Sequence, residues 1–317
     1  GLALVRLGPG LGVTSALAGL RGNPAIHYAQ PNYRQRALDT TPNDARFDEL
    51  WGLHNTGQTG GTPDADIDAP AAWDITRGDT NVIVAIIDTG IDYQHEDVQS
   101  NLWVNAGEIA ANGLDDDANG YVDDVYGING ITGSGDPQDD HDHGTHCAGT
   151  VGGVGQNAVG VVGVNWRVRL MACKFLDSSG SGSTADAITC VEYATLMGAR
   201  VLSNSWGGGP FEQALLDAIE AAGAAGVTFV AAAGNNAMDT DVTANYPSCY
   251  TSANLIAVMA VDHNDARSGF SNYGVLTVDL GAPGSGILSC RRGGGYQTMS
   301  GTSMATPHVA GACALLL

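Results

Sequence analysis

Asp88, His143 and Ser303 each stand in a short stretch that places a reactive side chain at the end of an element. Ile87-Asp88-Thr89-Gly90 closes an apolar run, so its carboxylate sits where a strand leaves a sheet. His141-Asp142-His143-Gly144-Thr145-His146 opens a helical pattern, and Gly301-Thr302-Ser303-Met304-Ala305-Thr306-Pro307-His308 opens another. A proline confined to a first helical turn would put Ser303 at or near a helix N-terminus. Backbone N–H groups and the helix dipole there favour a developing oxyanion. A serine hydroxyl is a poor nucleophile until an imidazole takes its proton. The imidazole in turn needs a carboxylate to fix its tautomer and stabilise its charged form. The order Asp, His, Ser, with separations of 55 and 160 residues, supplies all three for acyl transfer.

Positioning such groups requires a rigid frame, and the chain has the pattern for one. Val82–Ile87 is a wholly apolar β-branched run, as in a strand buried on both faces. Similar runs fall at Leu170–Leu176, Val201–Leu202, Val227–Ala232 and Leu255–Val261. Helical candidates lie between them at His143–Val151, Thr184–Met197 and Phe211–Ala225. Strands alternating with helices predict an α/β fold, a mostly parallel sheet with helices on both faces and active groups at the strand ends.

With these residues in place, the chain resembles the subtilisin-like serine proteases (subtilases) over about residues 50–317. The order Asp…His…Ser is that of subtilisin. Ala231-Ala232-Ala233-Gly234-Asn235 resembles the family segment whose asparagine completes the oxyanion hole. The resemblance implies that Asp88 orients, His143 acts as base then acid, Ser303 attacks, and Asn235 with the Ser303 N–H holds the oxyanion. Ser181-Gly182 and Ser205-Trp206-Gly207-Gly208 resemble the two edges that pair with a bound peptide. Ala232 to Gly234, with Asn245, should form the primary specificity pocket. Its neutral floor predicts broad specificity with a large uncharged residue before the cleaved bond, while Asp239 and Asp241 leave a basic preference open. Peptide or protein substrates, a monomeric state and secretion are further implications of the family.

The charge is uneven. The chain has 34 acidic and 13 basic residues, a net of −21, which argues against nucleic acid or an anionic membrane surface as partner. Fifteen of the acids lie between Arg77 and Arg167, a stretch with no Lys or Arg at all. Within it, Asp115-x-Asp117-x-Asn119-Gly120-Tyr121-x-Asp123-Asp124 follows the start of an EF-hand loop, with the Tyr121 carbonyl at position 7. Tyr126 stands where the twelfth-position Glu would be, so Asp124 or Glu108 is the candidate for the missing ligand. The expected cofactor is structural calcium. The family resemblance implies a second calcium site at Asp97, Asn157 and the carbonyls of Val154, Val159 and Val161; Asp279 suits a weaker site or a cap.

Residues 1–36 resemble the C-terminal part of a subtilase propeptide, a chaperone and inhibitor of its own enzyme, above all at Tyr28-Ala-Gln-Pro-Asn-Tyr33. A helical pattern covers Thr14–Leu20. Residues 37–48 have linker chemistry, and 49–317 form the catalytic domain. The chain reads as a fragment cut at both ends, with an apolar helix-like run to Leu317, and is expected to be poorly folded or inactive alone. No apolar run reaches the length of a membrane span. Cys147, Cys173 and Cys313 read as buried free thiols, with a bridge among Cys190, Cys249 and Cys290 left open. Two rival readings compete with the protease: a zinc hydrolase built on His141-x-His143-x-x-His146, and a non-catalytic calcium-binding extracellular module.

Overall fold

The computed structural model describes residues 3–8, 10–32 and 40–317. The chain divides into two compact units, Gly1–Leu38 and Asp39–Leu317. In the first, Val13–Leu20 forms helix α1, close to the expected Thr14–Leu20, and buries none of its residues. The alternating stretch from Ile26 forms no strand over its described residues, 26–32. Tyr33, Arg34 and Arg36 and the expected boundary at 36/37 lie outside the described residues.

The second unit is built on seven parallel strands. They are β1 (Ile83–Asp88), β2 (Gly127–Asn129), β3 (Arg169–Lys174), β4 (Val201–Asn204), β5 (Thr228–Ala232), β6 (Leu255–Val261) and β7 (Leu280–Pro283). Their order across the sheet is β2-β3-β1-β4-β5-β6-β7, and every pairing is parallel. A short helix α2 (Ala69–Trp73) precedes β1, and α3 (His143–Gly152), α4 (Thr184–Leu196) and α5 (Gln213–Ala224) connect the strands. An antiparallel hairpin of β8 (Ile287–Cys290) and β9 (Tyr296–Met299) leads into α6 (Thr302–Leu315).

Side-chain alternation along β1 sorts the layers. Val84 and Ile86 join one core with Cys147, Ala148 and Val151 of α3 and Met304, Ala305 and Ala310 of α6. Ala85 and Ile87 join the other, with Val191 and Ala194 of α4 and Leu215 and Ile219 of α5. Strands buried on both faces explain the unbroken apolar runs in the sequence. The period of two then puts the side chain of Asp88 on the α3–α6 side, where His143 and Ser303 begin their helices. The three-layer α/β sandwich expected from the sequence is present. No described helix is long and apolar enough to cross a membrane. All six cysteines are free thiols; Cys147 and Cys173 are buried, whereas Cys313 is only half-buried.

Candidate active site

Asp88 ends β1 with its carboxylate wholly buried. Its Oδ1 accepts from Thr89 N at 2.7 Å and pairs with His143 Nδ1 at 2.7 Å. The imidazole is one-fifth exposed, so a strand-end anion in the core is joined to a ring at the surface. With Nδ1–H donated to the carboxylate, the neutral ring keeps Nε2 as its acceptor nitrogen. Burial on its own would lower the His143 pKa. The charge and hydrogen bond of Asp88, with the further charge of Asp139, outweigh burial and hold His143 above its ordinary 6.5.

The segments bearing Asp88 and His143 touch backbone to backbone. A Cβ on Gly144 would meet Gly90 O at 2.1 Å, and one on Gly90 would meet Pro137 O at 2.2 Å. Gly90 also has a φ of +104°, so both positions exclude a side chain. The first amides of α3 are capped by tertiary partners: Gly144 N donates to Thr89 Oγ1 at 2.9 Å and Thr145 N to Asp139 at 3.0 Å. Asp139 also accepts from Thr89 Oγ1 at 2.8 Å, His141 N at 2.9 Å and Asp142 N at 3.1 Å. This buried carboxylate was not singled out from the sequence, which offers only one Asp among many in a solvated-looking run.

Ser303 is the second residue of α6. Pro307 is not in the first turn as the sequence suggested; it is the sixth helical residue. Lacking an N–H, it leaves the carbonyl four residues back, that of Ser303, without its helical partner. Two side chains take the vacated place: Ser205 Oγ donates to Ser303 O at 2.9 Å and Cys147 Sγ at 3.5 Å. The Ser303 hydroxyl donates to Ser205 O at 2.9 Å, and the described contacts include no bond from it to His143. Ser205 is accordingly buried against the serine helix, while Trp206 is half-buried and Gly207 exposed.

Asn235 is exposed, yet its side chain is oriented. Oδ1 accepts from Thr302 N at 2.8 Å and Thr302 Oγ1 at 3.0 Å, so the carboxamide caps α6 and its NH₂ group stays uncommitted. Asn245 is half-buried between the two expected pocket walls: Cβ atoms added to Gly207 and Gly234 would lie 3.0 and 3.2 Å from its Nδ2. Ala232 ends β5 beside them. Asp241 is committed elsewhere, accepting from the amides of Val275 and Thr277 at 2.8 and 3.0 Å, and Asp239 accepts from Asp241 N at 3.0 Å. Ser181 and Gly182 are exposed and lie outside any strand; a Cβ on Gly182 would strike Phe175 O at 2.1 Å.

The three histidines of the zinc reading do not converge. His146 bonds to Ile287 O at 3.0 Å, and burial drives its pKa down to about 4. His308 is likewise buried, at about 4, and bonds to Met304 O. Asp92 holds Gln94 N, Gln138 Nε2 and Gly293 N, and His95 holds Gly295 O, all scaffold contacts.

In the acidic stretch, Glu108, Asp115 and Asp117 bring ligand oxygens within 4.8 Å of one another. Among the described residues no ion pair involves this loop. Asp123 accepts from Asn112 N and Gly113 N at 3.1 and 3.0 Å, and its carboxylate is not one of the three so grouped. Asp124 is buried and bonded to Asn105, Asn119 and the Tyr193 hydroxyl. Tyr121 packs its ring on Tyr193. Asp97 accepts from Asn157 Nδ2 at 2.7 Å and Val161 N at 2.8 Å; Val154 N bonds its backbone carbonyl, and Val159 N bonds Asn157 Oδ1. Burial, helped by the charge of Asp44, pushes the Asp97 carboxyl above the usual carboxylate range. Asp44, which accepts from Gln156 N at 2.8 Å, went unnoticed in the linker-like run. Asp279 caps Ala257 N at 2.8 Å.

A parallel α/β sheet with a strand-end Asp bonded to a helix-start His, and a serine opening a later helix, defines the architecture of a subtilisin-like protein. The sequence pattern of the subtilase family matches residues 79–317, and the chain belongs to that family. It is 38% identical to the thermophilic serine proteinase of Bacillus sp. (strain AK1), over 96% of this chain and 66% of that protein. It is 39% identical to thermitase of Thermoactinomyces vulgaris, over 79% of each chain. The match to subtilisin-like protease 1 of Plasmodium berghei is 34% identical over 74% of this chain and 42% of that protein. The chain thus spans less than two thirds of the length of the Bacillus and Plasmodium relatives. Among solved structures, a cold-adapted subtilisin-like serine proteinase aligns with a TM-score of 0.61 at 34% identity, covering 84% of both chains.

Proposed function

We propose that the protein is a secreted serine endopeptidase acting through Asp88, His143 and Ser303. The observation that carries this reading is the 2.7 Å bond from His143 to the buried Asp88, which fixes the tautomer a general base needs. Nε2 takes the hydroxyl proton as Ser303 Oγ attacks the peptide carbonyl. The carbonyl oxygen becomes an oxyanion, received by Asn235 Nδ2 and Ser303 N. Collapse expels the amine, which takes the proton from His143; water then repeats the cycle on the acyl-enzyme. Ser303 Oγ must leave Ser205 O to begin, and apo sites commonly tighten only when substrate binds.

The exposed segment at Ser181 and Gly182, with that running from Ser205 out to the exposed Gly207, suits the two edges of an extended peptide. Ala232, Gly234 and the neutral Asn245 suit a large uncharged side chain. The prior engagement of Asp241 supports the neutral preference over a basic one.

Two calcium sites belong to the same proposal. Three carboxylates drawn together without a counter-cation fit a hard divalent ion held by Glu108, Asp115 and Asp117 with oxygens of Asn119 and Tyr121. Asp97, Asn157 and Asp44, with carbonyls of Val154, Val159 and Val161, suit a second. Calcium would supply charge neutralisation and loop rigidity. Residues 1–36 are proposed as a segment of an inhibitory propeptide.

The test is labelling of the intact protein by a serine-directed phosphonate, with turnover of a peptide library. Ser303→Ala should abolish both. Labelling that survives the substitution would sink the protease reading, and cleavage confined to basic residues would overturn the neutral pocket.

A further inference from the structure

Lys174 is the one lysine of the chain, and its side chain is only 5% exposed. It ends β3 in register with Asp88 at the end of β1. An ammonium has three protons to place, and here each has an acceptor: Thr89 O at 2.9 Å, Leu176 O at 2.8 Å and Asp140 Oδ1 at 2.6 Å. Those acceptors belong to three different parts of the site. Thr89 follows the buried Asp88. Leu176 begins the segment that runs out to Ser181 and Gly182. Asp140 lies in the loop that delivers His143 to the first turn of α3.

The main chain supplies some of this joining already, since Phe175 N and Leu176 N both donate to Asp88 O. It supplies nothing between Leu176 and the histidine loop. Packing alone would be met at this position by an apolar side chain, as at Ala172 and Cys173 on the same strand. A buried cation is costly unless its acceptors are specific, and these acceptors are the ends of the segments that must stay in register for reaction.

We propose that Lys174 is a positioning residue that fixes the Asp88 strand end, the histidine loop and the Leu176–Gly182 peptide edge relative to one another. The inference rests on the serine-peptidase reading. It divides the lysine's contacts between two kinetic quantities: the tie to Asp140 sets the placement of His143, and the tie to Leu176 sets the peptide edge.

The experiment compares wild type with Asp140→Ala, Lys174→Met and Lys174→Arg in the intact protein. Active sites are counted by phosphonate labelling, with kcat and KM measured per labelled site and folding followed by thermal melting. Asp140→Ala, at a half-exposed position, removes the acceptor of Lys174 Nζ and should lower kcat with KM unchanged. Lys174→Met should lower kcat by about 10²-fold, the scale of a small misplacement of reacting groups, and raise KM as well. Lys174→Arg should recover part of both. Should Lys174→Met fail to fold, Asp140→Ala decides. Wild-type kcat and KM per labelled site in Asp140→Ala, whatever the melting temperatures, overturns the proposal. If wild type shows no labelling at Ser303, the peptidase reading falls and takes this inference with it. Labelling in wild type with unaltered variants removes this inference alone.

Discussion

Ser205 and Ser303 exchange two hydrogen bonds, each hydroxyl donating to the other's backbone carbonyl at 2.9 Å. The first exists because Pro307 removes the N–H that would otherwise claim Ser303 O. The second engages the Ser303 hydroxyl, which the proposed mechanism requires to be released for attack. Pro307→Ala supplies an N–H able to compete for Ser303 O and to draw the first turn of α6 into regular helix. It should lower kcat/KM without unfolding the protein. Ser205→Ala leaves the hydroxyl bond of Ser303 in place, since its acceptor is backbone, and should cost about 1 kcal/mol of stability. Peptide turnover and thermal melting of the two variants check both outcomes.

Asn235 caps Thr302 N, and the proposed mechanism adds a second job, donation to the oxyanion, that substitution can separate from the first. Asn235→Asp keeps an oxygen to cap Thr302 N but loses the donor and adds a negative charge where the oxyanion forms. Asn235→Ala loses cap and donor together. Both should lower kcat by at least about 10²–10³-fold, the size found when the oxyanion asparagine of subtilisin is removed. Only Asn235→Ala should also lower the melting temperature through loss of a helix cap.

The acid limb of kcat/KM should lie above pH 6.5, because catalysis needs neutral His143 and its pKa is raised. Burial acts against this shift, and the charges of Asp88 and Asp139 produce it. Asp139→Asn removes one of those charges, favours loss of the proton, and should move the limb to lower pH. The same raised pKa contributes stability that is present below the unfolded value near 6.5 and lost as pH rises through the folded value. A limb unmoved in Asp139→Asn would show that Asp139 acts only as a cap of α3.

Chelation should lower the melting temperature, and calcium should restore it. Asp115→Asn and Asp117→Asn should each shrink that calcium-dependent rise, with kcat per active site little altered. Asp123→Asn should weaken it less, because its carboxylate is not among those whose oxygens lie within 4.8 Å of one another. Equal loss from all three substitutions would mean that Asp123 turns inward when the ion binds.

Apolar runs in the sequence located five of the seven sheet strands to within about two residues, because strands buried on both faces need unbroken hydrophobicity. They overlooked β2 and β7. Gly127-Ile128-Asn129 is too short to carry a pattern, and Leu280-Gly281-Ala282-Pro283 ends in a residue that argues against a strand. The motifs brought out Asp88, His143 and Ser303, each at or next to an element end, and Asn235 in the loop after β5, since each has its own local chemistry. Lys174, Asp139 and Asp44 stayed hidden because their roles depend on partners up to 112 residues away in the chain. In the acidic loop, spacing picks out which carboxylates are near one another, but only the folded loop separates Glu108, Asp115 and Asp117, whose oxygens gather, from Asp123 and Asp124, whose oxygens do not join them.

The contact of Gly90 with Gly144 has an evolutionary consequence. The distance between the carboxylate-bearing and imidazole-bearing segments is set by two peptide groups with no side chain interposed. Substitution elsewhere in either hydrophobic layer can change volume and rotamers without reaching that spacing, whereas a methyl group gained at Gly144 drives against Gly90 O and one gained at Gly90 drives against Pro137 O in the loop leading to His143. The helices and strands around the site are therefore free to drift in sequence and in melting temperature, and the separation between acid and base stays as it is.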